Sequence, residues 1–494
     1  MKYLSTRDAS LRYDAAQAIV QGLSREGGLF LPETFPVLPE GMLEALIPEC
    51  YQTRAVKIMK LFLEDFSEEE LAFFASKAYA PGEKFDNEAV APVRHVLPGT
   101  EVLELWHGPT CAFKDMALQM LPYLLTASLR KTGEEKTACI LVATSGDTGK
   151  AALEGFRDVD HTKILVFYPK DGVSDIQKLQ MVTQQGGNVG VCSVMGNFDD
   201  AQTGVKQIFS DEALRAELSD CGFFLSSANS INWGRVLPQV VYYISAYCDL
   251  VRDGRIKLGQ EINFCVPTGN FGDILAGFYA KTMGLPVRRL ICASNSNNVL
   301  TDFIETGVYD RNRPFYTTAS PSMDILISSN LERLLYQLSG SDAVVAGCMK
   351  KLSETGRYEV PEEIMERIRA DFTGGFCTDA QSREEISRLW KEGYLMDTHT
   401  AVAFTVLENY RKTTGDDTPA VVLSTASPYK FCSSVLEALG VTEFRPGTEI
   451  ITQLEEKTNT AAPLPLKSLR DKAVRFTRGT DKAQMTAVVR EFLS

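Results

Sequence analysis

A lysine in an apolar setting stands where a helix is expected to begin. Residues 107–119 open with the turn residues Gly108 and Pro109, and Lys114 follows Phe113 before apolar residues recur at helical spacing. Desolvation and the positive end of a helix dipole would both lower the pKa of the Lys114 amine. A partly neutral amine can form a Schiff base with a carbonyl cofactor, although a lysine that snorkels to the surface would show the same pattern.

A glycine-rich turn between a predicted strand and a predicted helix could bind a phosphate. Residues 268–273 read T-G-N-F-G-D and follow the apolar run 262–266. Glycine permits positive φ and a close approach of the backbone, and the free amides of such a turn attract anions. The order of glycines differs from a dinucleotide-binding fingerprint, and a tight connection without a ligand stays an alternative for this turn taken alone.

Two further strand-to-helix turns carry hydroxyl groups. Residues 144–150, T-S-G-D-T-G-K, resemble a P-loop, but Thr144 replaces its first glycine and Ala151 replaces the residue that binds Mg²⁺. We therefore expect this loop to bind a small carboxylate or phosphate instead of a nucleoside triphosphate. Thr425, just past a predicted strand at 420–423, could hydrogen-bond a ring nitrogen or could serve only as a helix N-cap.

These three features together suit pyridoxal phosphate as a cofactor. Lys114 would bind the aldehyde, the turn from Gly269 to Gly272 the phosphate, and Thr425 the ring nitrogen. A hydroxyl partner leaves the pyridine nitrogen less firmly protonated than an aspartate would, which matters because the ring acts as an electron sink.

Composition indicates a large globular protein of ordinary type. The 494 residues, 44% hydrophobic and 23% charged, allow two to four domains. The net charge of -13 argues against nucleic acid or an anionic membrane as a partner. The 11 cysteines contain no C-x-x-C pair, which indicates free thiols in a reducing compartment, and the 4 histidines make a zinc site unexpected. Neither a signal-peptide pattern nor a long apolar run is found, so we expect a cytoplasmic protein.

The order of predicted elements indicates three parts. Residues 1–90 predict a small helical unit, and residues 91–430 alternate strands with helices. That rhythm predicts mainly parallel sheets with helices on both faces, and ligands gather at the carboxyl ends of such strands. Residues 431–494 predict a helical segment that closes the middle region. Two details are open to a direct check: a helix predicted at 325–338, and a kink at Pro122 inside the helix that follows Lys114.

The chain resembles threonine synthase, in the pyridoxal-phosphate family that shares the tryptophan-synthase β-subunit fold. The matching segments are S-R-E-G-G-L-F-L-P (24–32), H-G-P-T-C-A-F-K-D (107–115), A-T-S-G-D-T-G (143–149), S-I-N-W-G-R (230–235), P-T-G-N-F-G-D (267–273), P-S-M-D-I-L-I-S-S-N (321–330) and L-S-T-A-S-P-Y-K-F (423–431). The resemblance implies fold type II, an α/β fold with two open, mainly parallel sheet domains flanked by helices, plus the small helical N-terminal domain.

The resemblance also implies roles for individual residues. Lys114 would be the Schiff-base lysine, and Thr425 would meet the ring nitrogen. The residues implied for the cofactor phosphate are Gly269, Asn270, Phe271 and Asp273. The residues implied for the substrate carboxylate are Ser145, Gly146, Asp147 and Thr148. No metal is implied.

The implied reaction converts O-phospho-L-homoserine and water to L-threonine and phosphate by γ-elimination and β-addition, the last step of threonine biosynthesis. The Lys114 amine, displaced by substrate, would act as general base. Arg235 and Lys150 are candidates for binding the leaving phosphate, beside a plain surface role for each. We expect a lyase that is a monomer or homodimer.

Two other functions fit the same motifs. A phospho-lyase would eliminate phosphate but release a keto acid instead of adding water, and its cofactor motifs would be nearly identical. A non-catalytic relative that binds a ligand would have kept the fold, but it would have no need of the Lys114 amine.

Overall fold

The strands are short and are distributed over the whole chain. The computed structural model describes residues 1–170, 173–196 and 198–494. The strands are β1 (Tyr3–Ser5), β2 (Asp8–Tyr13), β3 (Phe30–Pro32), β4 (Val93–Leu97), β5 (Thr100–Glu104), β6 (Thr137–Ala143), β7 (Thr162–Pro169), β8 (Val189–Met195), β9 (Phe223–Ser226), β10 (Ile262–Pro267), β11 (Val287–Ser294), β12 (Val308–Asp310), β13 (Arg357–Glu359), β14 (Phe372–Phe376), β15 (Ala420–Ser424) and β16 (Gly479–Asp481).

Helices separate most of these strands. They are α1 (Ala15–Gln21), α2 (Met42–Leu46), α3 (Tyr51–Lys60), α4 (Glu68–Ala78), α5 (Asp115–Leu118), α6 (Leu121–Thr132), α7 (Asp147–Gly155), α8 (Asp175–Val182), α9 (Phe198–Ser210), α10 (Glu212–Asp220), α11 (Trp233–Arg252), α12 (Gly272–Thr282), α13 (Val299–Thr306), α14 (Leu331–Ser339), α15 (Asp342–Thr355), α16 (Glu362–Asp371), α17 (Asp379–Lys391), α18 (Thr398–Thr414), α19 (Cys432–Ala438), α20 (Glu449–Thr458), α21 (Leu464–Lys467) and α22 (Met485–Leu493). Short 3₁₀ helices lie at Pro321–Met323, Pro428–Phe431, Ser468–Asp471 and Lys482–Gln484.

Two open sheets carry the middle of the chain. One has the strand order β14-β11-β10-β15-β5-β4 and is parallel except for the edge strand β4, and the other has the parallel order β16-β8-β7-β6-β9. Both faces of the central strands are buried: Phe264 of β10 belongs to one apolar cluster and the adjacent Cys265 to another. The fold therefore has the two helix-flanked parallel sheets that the sequence predicts.

The N-terminal region contains more than the predicted helices. The strands β1, β2 and β3 form an antiparallel sheet beside α1 to α4. The sequence pattern did not predict β1 and β2, because β2 is polar and only partly buried and so shows no clear alternation. Within the described ranges, no helix combines the length and the apolar character needed to cross a membrane.

Two local predictions were wrong. The helix expected at 325–338 begins only at Leu331, because residues 325–330 form the loop that follows the 3₁₀ helix Pro321–Met323. Pro122 does not kink a helix: α5 ends at Leu118, and Pro122 lies in the first turn of α6. At that position the missing N–H of proline costs nothing, because the first amides of a helix have no partner within it.

A buried ion pair joins the N-terminal helices to the middle region. The Arg54 side chain of α3 is 1% exposed, and its Nη1 lies 2.7 Å from Asp249 Oδ1 of α11. The guanidinium also donates to the carbonyls of Leu46 and Ile47 and to the Ser245 hydroxyl. Asp249 Oδ1 also lies 2.8 Å from Nη1 of Arg252, a half-exposed residue, so loss of Arg54 leaves Asp249 with a weaker partner, whereas loss of Asp249 leaves the Arg54 charge buried without a carboxylate.

We predict that Arg54→Met lowers the free energy of unfolding by about 2–4 kcal/mol, because the carbonyls of Leu46 and Ile47 lose a donor and Asp249 is left with the half-exposed Arg252. Urea denaturation measures this, and the double variant Arg54→Met/Asp249→Leu should recover most of the loss. The exposed pair Arg12–Glu33 provides a control, since Arg12→Met should cost less than about 1 kcal/mol. Equal losses for Arg54→Met and Arg12→Met would contradict the anchoring role.

Candidate active site

The predicted site residues lie just beyond the carboxyl ends of strands from both sheets. Residues 145–148 follow β6, residues 269–273 follow β10 and Thr425 follows β15. Lys114 lies on the segment between β5 and α5. This is the edge at which parallel α/β sheets bind ligands.

Main-chain hydrogen bonds fix Lys114 relative to Thr425. The Phe113 amide donates to the Thr425 carbonyl (2.8 Å), and the Ser427 amide donates to the Cys111 carbonyl (3.1 Å). The two segments thus pair as a short antiparallel bridge centred on Ala112 and Ala426. Because backbone atoms make the pairing, the positions of the amine and the hydroxyl are coupled.

The Thr425 side chain is 6% exposed, and its hydroxyl has no hydrogen-bond partner within the described residues. Ser427, and not Thr425, is the N-cap of the 3₁₀ helix Pro428–Phe431. The helix-cap alternative for Thr425 therefore loses its support, and its hydroxyl is free to serve a ligand.

The Lys114 amine is buried among charges. Burial lowers its pKa to about 8, with the charge of Asp147 opposing this shift and the cations Arg235 and Lys430 adding to it. The Nζ atom lies 3.4 Å from Ser322 Oγ and 3.8 Å from Asp147 Oδ2. Since α5 has only four residues, burial and neighbouring charges, not a helix dipole, account for the lowered pKa that the sequence predicts.

The turn 269–273 is a cradle of free amides. None of the main-chain N–H groups from Gly269 to Ile274 has an acceptor in the described structure; the first intrahelical bond of α12 runs from the Leu275 amide to the Phe271 carbonyl. The left-handed residue of the turn is Phe271, with φ +62°. A Cβ at Gly269 would lie 2.8 Å from the Ser322 carbonyl oxygen, so close approach, not positive φ, is what requires glycine there.

Not every side chain of this turn faces the cradle. Asp273 Oδ1 accepts hydrogen bonds from the hydroxyls of Tyr242 (2.5 Å) and Tyr243 (2.8 Å). Burial raises the pKa of the Asp273 carboxyl to about 6, although the two tyrosines lower it. The Asn270 side chain is exposed. The main-chain carbonyl of Asn270 accepts from the main-chain amide and from Nδ2 of Asn330. The residues of the turn therefore offer their amides more than their side chains to an anion.

The loop 145–148 is shaped by Thr144. The Thr144 hydroxyl accepts from the amides of Gly146 and Gly149, both at 2.9 Å, so the Gly146 amide is already used. The amides of Asp147 and Thr148 have no acceptor within the described part of the chain. The Asp147 carboxylate is engaged elsewhere, because its Oδ1 accepts from Lys430 (2.9 Å) and from Gln177 Nε2 (2.8 Å).

Three functional side chains were not assigned from the sequence: Ser322, Lys430 and His399. The Ser322 hydroxyl contacts Lys114, and its amide donates to His399 Nε2 at 3.1 Å. Since Nε2 accepts this bond, the ring proton is on Nδ1, which lies 2.6 Å from Asp397 Oδ2. Ser322 and Lys430 lie in the matching segments quoted above, but only tertiary packing reveals what they contact.

The two candidates for binding a leaving phosphate differ in structure. Lys150 is occupied, with its Nζ 2.9 Å from Glu154 Oε2. Arg235 is 4% exposed, its Nη1 donates to the Ala228 carbonyl, and its buried Nε has no partner within the described residues. Burial lowers the pKa of Arg235 to about 10. A buried guanidinium without a carboxylate partner favours an anionic ligand.

A buried amine, an amide cradle and a free hydroxyl at the carboxyl edge of parallel sheets define a pyridoxal-phosphate enzyme of fold type II. Residues 103–426 match the family model described as pyridoxal-phosphate dependent enzyme. Residues 2–79 match the model for the threonine synthase N terminus, and residues 400–489 match the threonine synthase C-terminal model. The chain belongs to the threonine synthase family.

Relatives of known sequence and structure agree with this assignment. Threonine synthase of Saccharomyces cerevisiae is 36% identical over 467 residues, which is 88% of this chain and 89% of that protein. Human Threonine synthase-like 1 is 40% identical over 461 residues, 91% of this chain but 61% of that protein, so the chain spans about three fifths of that relative. The crystal structure of pyridoxal-phosphate-bound threonine synthase from Brucella melitensis has a TM-score of 0.87 and 36% identity, and covers 100% of this chain and 99% of its own. The predicted family, fold class and cofactor are confirmed.

We predict that Gly269→Val weakens the binding of pyridoxal phosphate about tenfold or more, because the added side chain overlaps the Ser322 carbonyl and pushes the cradle amides apart. Titration of the cofactor-free protein measures the dissociation constant. Gly347→Val, at a helical glycine with open space around it, is the matched control. An unchanged dissociation constant for Gly269→Val would place the phosphate elsewhere.

We predict that Thr425→Val lowers turnover roughly ten- to a hundredfold, since a lost hydrogen bond with a buried partner costs about 1–3 kcal/mol. The melting temperature of the cofactor-free protein should change little, because the hydroxyl has no partner among the residues that the structure describes. Thr425→Ser keeps the hydroxyl and should be much milder. Wild-type turnover in Thr425→Val would remove this residue from the cofactor site.

Proposed function

We propose that the chain is a threonine synthase that converts O-phospho-L-homoserine and water to L-threonine and phosphate. The observation that carries the proposal is the convergence of four groups at one sheet edge. These are the buried amine of Lys114, the amide cradle, the free hydroxyl of Thr425 and the unpaired guanidinium of Arg235. The last of these supplies a second anion-binding group near Lys114, as a phosphorylated substrate requires.

The residues present fit pyridoxal phosphate. Lys114 would hold its aldehyde carbon, the amides of Gly269, Asn270, Phe271 and Asp273 its phosphate, and Thr425 its ring nitrogen. When bound, the cofactor supplies an electron sink for negative charge that develops on substrate carbon.

The chain's own groups would bind and orient the substrate. The amides of Asp147 and Thr148, with the hydroxyls of Ser145 and Thr148, would bind the substrate carboxylate, while Gly146 would shape the loop. The Asp147 side chain carries the wrong charge for that task and is engaged by Lys430. Arg235 is the stronger candidate for the substrate phosphate, because Lys150 is paired with Glu154.

Lys114 would move the protons. With a pKa of about 8, roughly a tenth of the free amine is neutral at pH 7, and this neutral amine would take a proton from substrate carbon and give it back later in the cycle. Ser322 Oγ, 3.4 Å from the amine, would help to orient it.

We also propose domain boundaries, a compartment and an oligomeric state for this chain. The chain would divide at about residues 90 and 430, act in the cytoplasm in the last step of threonine biosynthesis, and work as a monomer or homodimer. The acidic charge of -13 supports a function without nucleic acid or membrane binding.

The product formed from O-phospho-L-homoserine tests the proposal. Purified protein with added pyridoxal phosphate should release threonine and phosphate in equal amounts, and Lys114→Ala should abolish both while the melting temperature stays near that of the wild type. Phosphate together with a keto acid would instead establish a phospho-lyase. Absence of any product and of any spectral change with cofactor would establish a non-catalytic relative.

A further inference from the structure

A second lysine lies beneath the site, and the proposed reaction does not use it. Lys430 is 0% exposed, and its Nζ lies 2.8 Å from the Thr110 carbonyl, 3.0 Å from Gln180 Oε1 and 2.9 Å from Asp147 Oδ1. These three acceptors use all three of its N–H donors, so Lys430 cannot also bind substrate.

The two carboxylate oxygens of Asp147 have different partners. Oδ1 is held by Lys430 and by Gln177 Nε2, whereas Oδ2 faces the Ser322 hydroxyl at 3.4 Å and the Lys114 amine at 3.8 Å. Asp147 therefore connects a structural lysine to the reactive one.

Five charged groups act on Lys114, from five different elements: Asp115, Asp147, Arg235, Asp273 and Lys430. Both oxygens of Asp115 accept from Thr110, and Asp273 Oδ1 accepts from two tyrosines. Among the described residues, Asp147 alone has a carboxylate oxygen within 4 Å of the Lys114 nitrogen.

We propose that Asp147 and Lys430 form a buried ion pair whose two charges act in opposite directions on the proton of Lys114. The Asp147 carboxylate favours the protonated form of that nitrogen. The Lys430 ammonium, which contacts the same carboxylate, partly offsets this effect, so that the proton can still leave. Both are positioning residues, and no proton moves to either. The inference deepens the proposed function, because the same control would apply to the nitrogen once it has bonded to a carbonyl carbon.

The directions follow from electrostatics. The carboxylate of Asp147 favours the ammonium form of Lys114 and raises the pKa of the amine, while the Lys430 charge disfavours that form and lowers it. Burial would raise the pKa of Asp147, but Lys430 and Lys114 hold it below its ordinary value, so Asp147 is ionised at neutral pH.

The test is a pH titration of Lys114 in the full chain. The rate at which trinitrobenzenesulfonate modifies Lys114, followed by peptide mass spectrometry, reports the amine without cofactor. The visible absorbance of the protein loaded with pyridoxal phosphate reports the same nitrogen when bonded to the cofactor. Asp147→Asn should lower the midpoint of both titrations by about one to three pH units, and Lys430→Met should raise it.

Two further variants control the result. The double variant Asp147→Asn/Lys430→Met should lie between the single variants, and it replaces Lys430→Met if that variant does not fold. Asp115→Asn, which removes a nearby charge that does not contact the amine, should shift the midpoint less than Asp147→Asn. An unchanged midpoint in Asp147→Asn, or shifts of the same sign in both single variants, would overturn the proposal. The titration without cofactor involves no substrate, so its outcome is separate from whether the protein makes threonine.

Discussion

Two main-chain hydrogen bonds, between residues 111–113 and 425–427, fix the geometry of the site. They join the segment that follows β5 to the segment that follows β15, at the edge of one sheet. The main-chain positions of Lys114 and Thr425, far apart in sequence, are thereby held together by the backbone, and contacts with Ser322 and Asp147 locate the amine itself. Preorganisation of this kind spares a ligand the cost of ordering its own site.

Charge burial is the second constraint on this site. Lys114, Asp147, Lys430 and Arg235 are all shielded from water, where an unpaired charge is costly. The first three share hydrogen bonds or ion pairs. Across the described ranges, the Arg235 guanidinium has only a carbonyl partner, and its buried Nε has none. In this arrangement Lys114 and Lys430 both face the Asp147 carboxylate, and Arg235 is left available to an anionic ligand.

Much of this site could be predicted from local sequence, because its principal groups lie on turns with distinct composition. The turn 268–273 and Thr425 each follow an apolar strand, the Lys114 segment precedes apolar residues at helical spacing, and the structure brings all three to one edge. What the sequence could not provide are contacts between distant segments. Ser322 is positioned by His399, and Asp147 is paired with Lys430, 283 residues away; neither pairing has a local pattern.

The errors in prediction have the same physical origin. Residues 325–330 have helical apolar spacing, yet Ser328 and Asn330 bond to the 269–270 turn and hold the segment as a loop. Tertiary hydrogen bonds thus outweigh a weak local preference for helix. The sequence predicts a kink at Pro122 because a break between α5 and α6 has no local signal apart from the proline itself.

We expect Lys114 to be the residue that bonds to pyridoxal phosphate. Reduction of the cofactor-loaded protein with borohydride, followed by peptide mass spectrometry, tests this directly. The reduced cofactor should be found on Lys114, and this labelled peptide should be absent in Lys114→Ala. A label on Lys430 or another lysine, or none on Lys114 at saturating cofactor, would contradict it.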